Sequence, residues 1–91
     1  MTYRLEFAES ALKDWRKLGE TLRAQFKKKL AKRLENPRVP AAKLSGSTDR
    51  YKIKLRASGY RLVYEVNDMT VTVVVLAVGR RDSIYESANR R

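Results

Sequence analysis

Tyr3, Leu5 and Phe7 alternate with Thr2, Arg4 and Glu6, the period of two that marks a half-buried strand. From Glu9 the period lengthens. Ala8, Ala11, Leu12, Trp15 and Leu18 fall on one helical face that ends at Gly19, which predicts a first helix. Leu22, Phe26, Leu30 and Leu34 then recur every four residues opposite Arg23, Lys27, Lys28, Lys32 and Arg33, until Asn36-Pro37 stops the pattern. The short link from Gly19 to Thr21 predicts an antiparallel helical hairpin whose apolar stripes face one sheet. Residues 35–49, with Pro37, Pro40 and Gly46, read as a loop around a short Lys43-Leu44 segment.

Three strands follow. Tyr51, Ile53 and Leu55 alternate with Lys52, Lys54 and Arg56; Ala57-Ser58-Gly59 turns the chain into a strand over 60–66; Asn67-Asp68 turns it again into 70–78. This predicts an antiparallel meander. Val73 to Val75 are apolar on both sides, so the last strand is expected at the centre of a sheet covered on much of both faces. Ser83 and Glu86 have capping-box spacing, which predicts a short C-terminal helix within 82–91. The expected fold is a single α+β domain over residues 1–91: an N-terminal strand, a helical hairpin, an antiparallel sheet and a short C-terminal helix.

Composition narrows the chemistry. The 91 residues contain no cysteine and no histidine, which removes thiol nucleophiles, Cys/His zinc sites and imidazole acids and bases. Any catalysis must use Lys, Arg, Tyr, Ser, Asp or Glu. No metal site and no cofactor is expected. Twenty-one Lys and Arg against ten Asp and Glu leave a net charge of +11, spread as +6 over residues 1–49 and +5 over 50–91. Such self-repulsion is tolerated most readily when the partner is polyanionic, so nucleic acid or an acidic protein is expected. No apolar run approaches the roughly 20 residues that span a bilayer, and the N-terminus lacks the layout of a signal peptide. A cytoplasmic protein without a membrane partner is expected.

The cations concentrate on one strand pair. Residues 50–64 contain Arg50, Lys52, Lys54, Arg56 and Arg61 and no acid. Alternation puts Lys52, Lys54 and Arg56 on one face, and a register that matches apolar with apolar brings Arg61 beside them. Charge runs are commonly just solvated faces. Several like charges on adjacent strands disfavour folding unless an anion binds there, which favours a phosphate site.

Lys43-Leu44-x-Gly46, the segment from Tyr51 to Arg56, the segment from Ser58 to Tyr64, and Val78-Gly79-x-Arg81 followed by Tyr85 resemble the RelE family of toxins from bacterial type II toxin–antitoxin systems, within the RelE/ParE superfamily. The segment from Ala11 to Gly19 and Lys27-Lys28-Lys29-Leu30 match as well, so the likeness covers nearly the whole chain. It implies a compact ribonuclease-like (RelE-like) fold. It also implies a ribosome-dependent endonuclease that cuts messenger RNA in the ribosomal A site, inhibits translation and is silenced by a cognate acidic antitoxin. Carried over by position, Lys52, Lys54, Arg61, Arg81 and Tyr85 match the catalytic set. The spacing from Gly79 to Tyr85 is two residues shorter than in RelE toxins, Asp82-Ser83 lies where they carry a second arginine, and Arg80 stands where the wider superfamily has a histidine.

Those residue types suit attack by the RNA 2′-hydroxyl on the adjacent phosphate, giving a cyclic phosphate and a 5′-hydroxyl. A lysine acts as base only in its neutral form, which neighbouring positive charge favours; Lys54 is the first choice. Arg61 suits the charge on the phosphorane, Arg81 the phosphorane or the leaving oxygen, and Tyr85 a stacking or orienting contact. The outer helix face at Arg23, Lys27, Lys28 and Lys32, together with Arg56 and Arg80, is expected to grip ribosomal RNA. Two alternatives stand beside this reading: a ParE-like toxin that acts on DNA gyrase without nuclease activity, and a noncatalytic RNA-binding module.

Overall fold

The computed structural model describes residues 2–81. Its elements are β1 (Arg4–Phe7), α1 (Glu9–Lys17), α2 (Glu20–Glu35), β2 (Arg50–Leu55), β3 (Tyr60–Asn67) and β4 (Thr72–Arg80), with a 3-10 turn at Pro40–Ala42 between α2 and β2. The expected C-terminal helix, and Tyr85 with it, lies outside the described residues.

The strands form one sheet in the order β1-β4-β3-β2. β2, β3 and β4 are the antiparallel meander that the sequence predicts, and β4 is central. The sheet is mixed rather than wholly antiparallel, because β1 pairs parallel to β4 from Arg4↔Thr72 to Phe7↔Val75. A parallel neighbour needs a long crossover, and the chain between β1 and β4 is long enough to supply one.

α1 lies over β4 and α2 over β2. Between them they cover one sheet face, where Ala11, Trp15, Leu18, Phe26 and Leu30 pack on Tyr51, Ile53, Leu55, Leu62, Tyr64, Val66, Val73, Val75 and Val78. Trp15 bridges the layers, its ring 5.2 Å from that of Phe7 and 6.2 Å from that of Phe26. The opposite sheet face carries only a small buried patch among the described residues, Val63 and Ala77 with Leu44 against them. Val63 and Ala77 are nonetheless buried, so β3 and β4 have buried side chains on both faces, as the apolar run in β4 suggests.

A bulge explains that run. Val63 faces Ala77 but Tyr64 faces Val75, so Leu76 is an extra residue in β4. Strict alternation would send Val78 away from the core that holds Val73 and Val75. The added residue reverses the alternation, so Val78 joins the core and Ala77 and Gly79 move to the other face.

Both hairpin loops contain four residues, 56–59 and 68–71, and both close on a left-handed residue. In the first it is Gly59, at φ 74°. In the second it is Val71, at φ 52°, where a β-branched side chain crowds the backbone. The Asn67 side-chain oxygen accepts from the Met69 and Thr70 amides and holds this loop in shape.

Arg38 ties the long loop to the sheet. Its guanidinium bonds Asp68 at 2.8 Å, Asp49 at 3.0 Å and the Tyr51 hydroxyl at 3.3 Å, while the Tyr3 hydroxyl donates to Asp68 at 2.7 Å. The Tyr3 hydrogen bond, and then Arg38, hold the Asp68 carboxyl below its ordinary pKa.

Two outcomes follow from these loops. Val71→Gly relieves about 1–2 kcal/mol of left-handed crowding and adds about 0.5–1 kcal/mol of chain entropy, so thermal unfolding should shift upward by a few degrees. Asp68, with its folded pKa depressed, contributes stability above its unfolded pKa of about 3.9 and loses it as pH falls through the lower folded value. Melting temperatures recorded from pH 6 down to pH 2 should drop in that acid range, and Asp68→Asn should flatten part of the drop.

Candidate active site

The β2–β3 pairing builds the site. It sets Arg50 opposite Glu65, Lys52 opposite Val63 and Lys54 opposite Arg61, all on the face away from the helices, with Tyr51, Ile53 and Leu55 opposite Tyr64, Leu62 and Tyr60 on the core face. The Leu44 amide donates to the Arg50 carbonyl at 2.9 Å and Arg33 donates to the Lys52 carbonyl at 3.1 Å, so the even-numbered carbonyls of β2 point outward from the sheet edge. Asp49 and Leu55 instead accept from Val66 and Gly59 on the inner side. Lys54 and Arg61 are therefore a non-hydrogen-bonded pair, the type in which facing Cα atoms approach to about 4.5 Å and side chains lie closest. The next position across the sheet is Gly79, paired with Arg61, so the central strand places no side chain beside that guanidinium.

Arg50 is paired across the two strands. Its Nε donates to a Glu65 carboxylate oxygen at 3.1 Å, an ion pair across the strands at the far end of the same face. Toward the hairpin end of the same face the register groups Lys52, Lys54 and Arg61. Arg81 joins this end of the sheet through its backbone, its amide donating to the Gly59 carbonyl at 3.0 Å. Tyr85 lies outside the described residues.

The outer edge of β2 borders a groove of about 840 Å³ between that strand, α2 and the turn at Pro40–Ala42. Lys28, Lys29, Lys32 and Arg33 of α2 line one wall, and Lys52, Lys54 and Arg56 line the other, with no carboxylate among the lining residues. Of the helix-face cations expected to contact RNA, Lys28 and Lys32 stand in this groove, and Lys27 is exposed outside it. Arg23 is only partly exposed. Its guanidinium turns back to donate to the Leu18 carbonyl at 2.7 Å and the Arg16 carbonyl at 3.3 Å, closing the end of α1. Arg80 pairs with Tyr60 and lies 5.6 Å from its ring centre, so it belongs to the face opposite Arg61.

One site residue escaped the sequence reading. Arg33 counts there among the outer cations of α2, but it lies on the flank of the apolar stripe, three residues after Leu30 and one before Leu34. The structure turns it inward to the edge strand. A single guanidinium nitrogen donates to the Lys52 carbonyl at 3.1 Å and to the Tyr64 hydroxyl at 2.9 Å. The Tyr64 hydroxyl in turn donates to the Pro37 carbonyl at 2.7 Å. Burial pushes the Tyr64 phenol upward, against the opposing pull of Arg33, so the proton that this bond needs stays in place. Among the described residues no group of three or more acidic, histidine or cysteine side chains gathers to hold a metal ion.

Comparison with known proteins converges on one family. A family model described as the ParE toxin of type II toxin–antitoxin systems, parDE, matches residues 5–85. The mRNA interferase toxin RelE of Escherichia coli K12 is 57% identical over 93 aligned positions, covering 100% of this chain and 98% of that protein, and the mRNA interferase RelE of Shigella flexneri matches to the same extent. A free-state structure of E. coli toxin RelE with two arginines replaced superimposes with a TM-score of 0.93 at 56% identity, covering 100% of this chain and 98% of that one. The toxin chain of the intact E. coli RelBE toxin–antitoxin complex superimposes at 0.84 with 62% identity, covering 86% of this chain and 95% of that one. With its α+β fold, its Lys52–Lys54–Arg61 face and full-length relatives of this kind, the chain belongs to the RelE/ParE toxin family of type II toxin–antitoxin systems, as a RelE toxin.

Proposed function

We propose that this chain is a single-domain, cytoplasmic mRNA endoribonuclease that works on the ribosome, inhibits translation and is held inactive by an acidic antitoxin. The observation that carries the reading is the facing Lys54–Arg61 pair with Lys52 on the same sheet face, in a chain whose full-length relatives are named mRNA interferases. That face supplies cations where a phosphate would sit. No described helix is long and apolar enough to cross a membrane.

In the proposed reaction the 2′-oxygen attacks the adjacent phosphorus, the bond from phosphorus to the 5′-oxygen breaks, and a 2′,3′-cyclic phosphate and a 5′-hydroxyl remain. Neutral Lys54 takes the 2′ proton. Arg61, always protonated and able to fork onto two oxygens, stabilises the phosphorane with Lys52. The leaving 5′-oxygen takes its proton from solvent water, with Arg81 near it, and Tyr85 orients the nucleotide. Lys and Arg are poor proton-transfer groups near neutral pH, so alignment must supply much of the rate. Good alignment lowers a barrier by roughly 7–11 kcal/mol, and a ribosome that holds the messenger in a fixed shape contributes to it. The groove cations Lys28 and Lys32, with Lys27 and Arg56, hold RNA backbone. Relatives solved with antitoxin RelB support the same kind of partner here. An acidic, partly disordered antitoxin segment would cover Lys52, Lys54 and Arg61 and displace residues 80–91.

The ParE name of the matching family model keeps a gyrase-directed reading in view, and cleavage assays separate the two. On a translated messenger, cut ends with 2′,3′-cyclic phosphates should appear only with ribosomes present; a wild-type chain that makes no cuts and inhibits gyrase overturns the nuclease reading. Arg61→Ala should lower the single-turnover rate at saturating toxin by roughly a hundredfold or more with little change in ribosome affinity, and Arg61→Lys should stay clearly impaired. Lys28→Ala should instead weaken binding modestly and reduce its dependence on salt.

Cleavage should also survive chelation of divalent metal when the ribosome complex is preassembled and stabilised by spermidine, because the chain has no histidine or cysteine and few carboxylates to offer an ion. Loss of activity restored by metal bound to the toxin itself would argue against this.

A further inference from the structure

We infer that Arg33 is a positioning residue for the cleavage site: it fixes the outer edge of β2 through the Lys52 carbonyl and so sets where Lys52 and Lys54 stand relative to Arg61. The inference rests on the nuclease reading above and adds to it a residue that touches neither substrate nor reacting atoms.

β2 is an edge strand, so half of its backbone hydrogen-bonding groups have no neighbouring strand. Among the described residues, two segments tie its outward carbonyls. Residues 43 and 44 hold the Arg50 end, through the Leu44 amide and an isolated bridge from Lys43 to Tyr51. Arg33 holds Lys52, the last outward carbonyl before Lys54. The lysine assigned as base stands two residues beyond this hold on Lys52, on the side where the strand runs into its hairpin loop.

The tie is itself braced. The same guanidinium nitrogen donates to the Tyr64 hydroxyl at 2.9 Å, its carbon lies 5.8 Å from the Tyr64 ring centre, and Tyr64 is fully buried and stacked 5.7 Å from Tyr51. Tyr64 belongs to β3, the strand that carries Arg61. Arg33 thus connects one rigid point on β3 to the backbone of β2, and both halves of the cationic pair are measured from it. Its position also carries an electrostatic cost, since Lys29, Lys32 and Lys52 line the same groove. A neutral residue would relieve that repulsion, so the two bonds and not the charge are what the position supplies.

The test uses the full chain with Arg33→Met, which keeps length without donors, and Arg33→Lys, which keeps donors able to reach both oxygens. Two readouts are taken on protein shown to be folded at the assay temperature: single-turnover cleavage on programmed ribosomes across toxin concentration, and amide hydrogen exchange at Ile53 and Leu55. Arg33→Met should lower the saturating rate about tenfold, leave the half-saturating concentration within about twofold, and speed exchange at both amides. Arg33→Lys should restore most of both. Arg33→Gln replaces the Met variant if that one does not fold, with the same signature expected in weaker form.

Wild-type cleavage with an unchanged rate for Arg33→Met overturns the inference. So does a loss confined to the half-saturating concentration, which makes Arg33 a docking cation, or a Lys variant no better than Met. If the wild-type chain itself cuts no messenger, the nuclease reading fails. The exchange arm then decides the hold on β2 alone: faster exchange reversed by lysine supports it, and unchanged exchange overturns it.

Discussion

The pairing of β2 with β3 carries both the core and the site, because one register assigns every side chain of the two strands to a face. Tyr51, Ile53 and Leu55 meet Tyr64, Leu62 and Tyr60 under the helices, and the same alternation turns Lys52, Lys54 and Arg61 outward. A slip of one residue would exchange the sets. It would bury two lysines without partners and expose three large apolar side chains, a penalty of several kcal/mol for each charge. The apolar half of the strand pair therefore locks the geometry of the cationic half. Concentrating like charge on facing positions is tolerable for that reason, since core burial opposes the repulsion.

The rest of the fold serves this pair from three sides. β4 supports β3 along its length, and its bulge at Leu76 lets an almost continuous apolar strand fill the core while turning Ala77 and Gly79 to the face away from the helices. α2 covers the core face of β2 and sends Arg33 to its edge. The loop between α2 and β2 is held by Arg38 to Asp49, Tyr51 and Asp68, which fixes where β2 begins. Arg23, Arg33 and Arg38 thus donate to protein oxygens and shape the scaffold, a role distinct from that of the exposed α2 cations such as Lys28.

That division bears on how a +11 protein is read. Net charge describes the attraction of the whole surface for a polyanion, but not which cations are available to one. Replacing Lys28 removes charge from the groove wall, whereas replacing Arg33 or Arg38 also removes hydrogen bonds to buried or half-buried groups. Salt dependence and stability should therefore separate the two kinds of position even where the formal charge change is equal.

Sequence alone determined the helices α1 and α2, the three-strand meander, the central place of β4 and the shared face of Lys52, Lys54 and Arg61. Those features follow from local periodicity, and periods of two and 3.6 are visible in the order of residues. Tertiary structure alone decided the parallel pairing of β1, the bulge at Leu76, the left-handed Val71 and the placing of Arg80 beside Tyr60. It also turned Arg23 and Arg33 from the outer helix face toward carbonyl groups. None of these has a local signature. Each depends on which backbone oxygen, ring or strand edge lies within reach once distant segments have packed, and a long side chain at the border of an apolar stripe takes its direction from those neighbours.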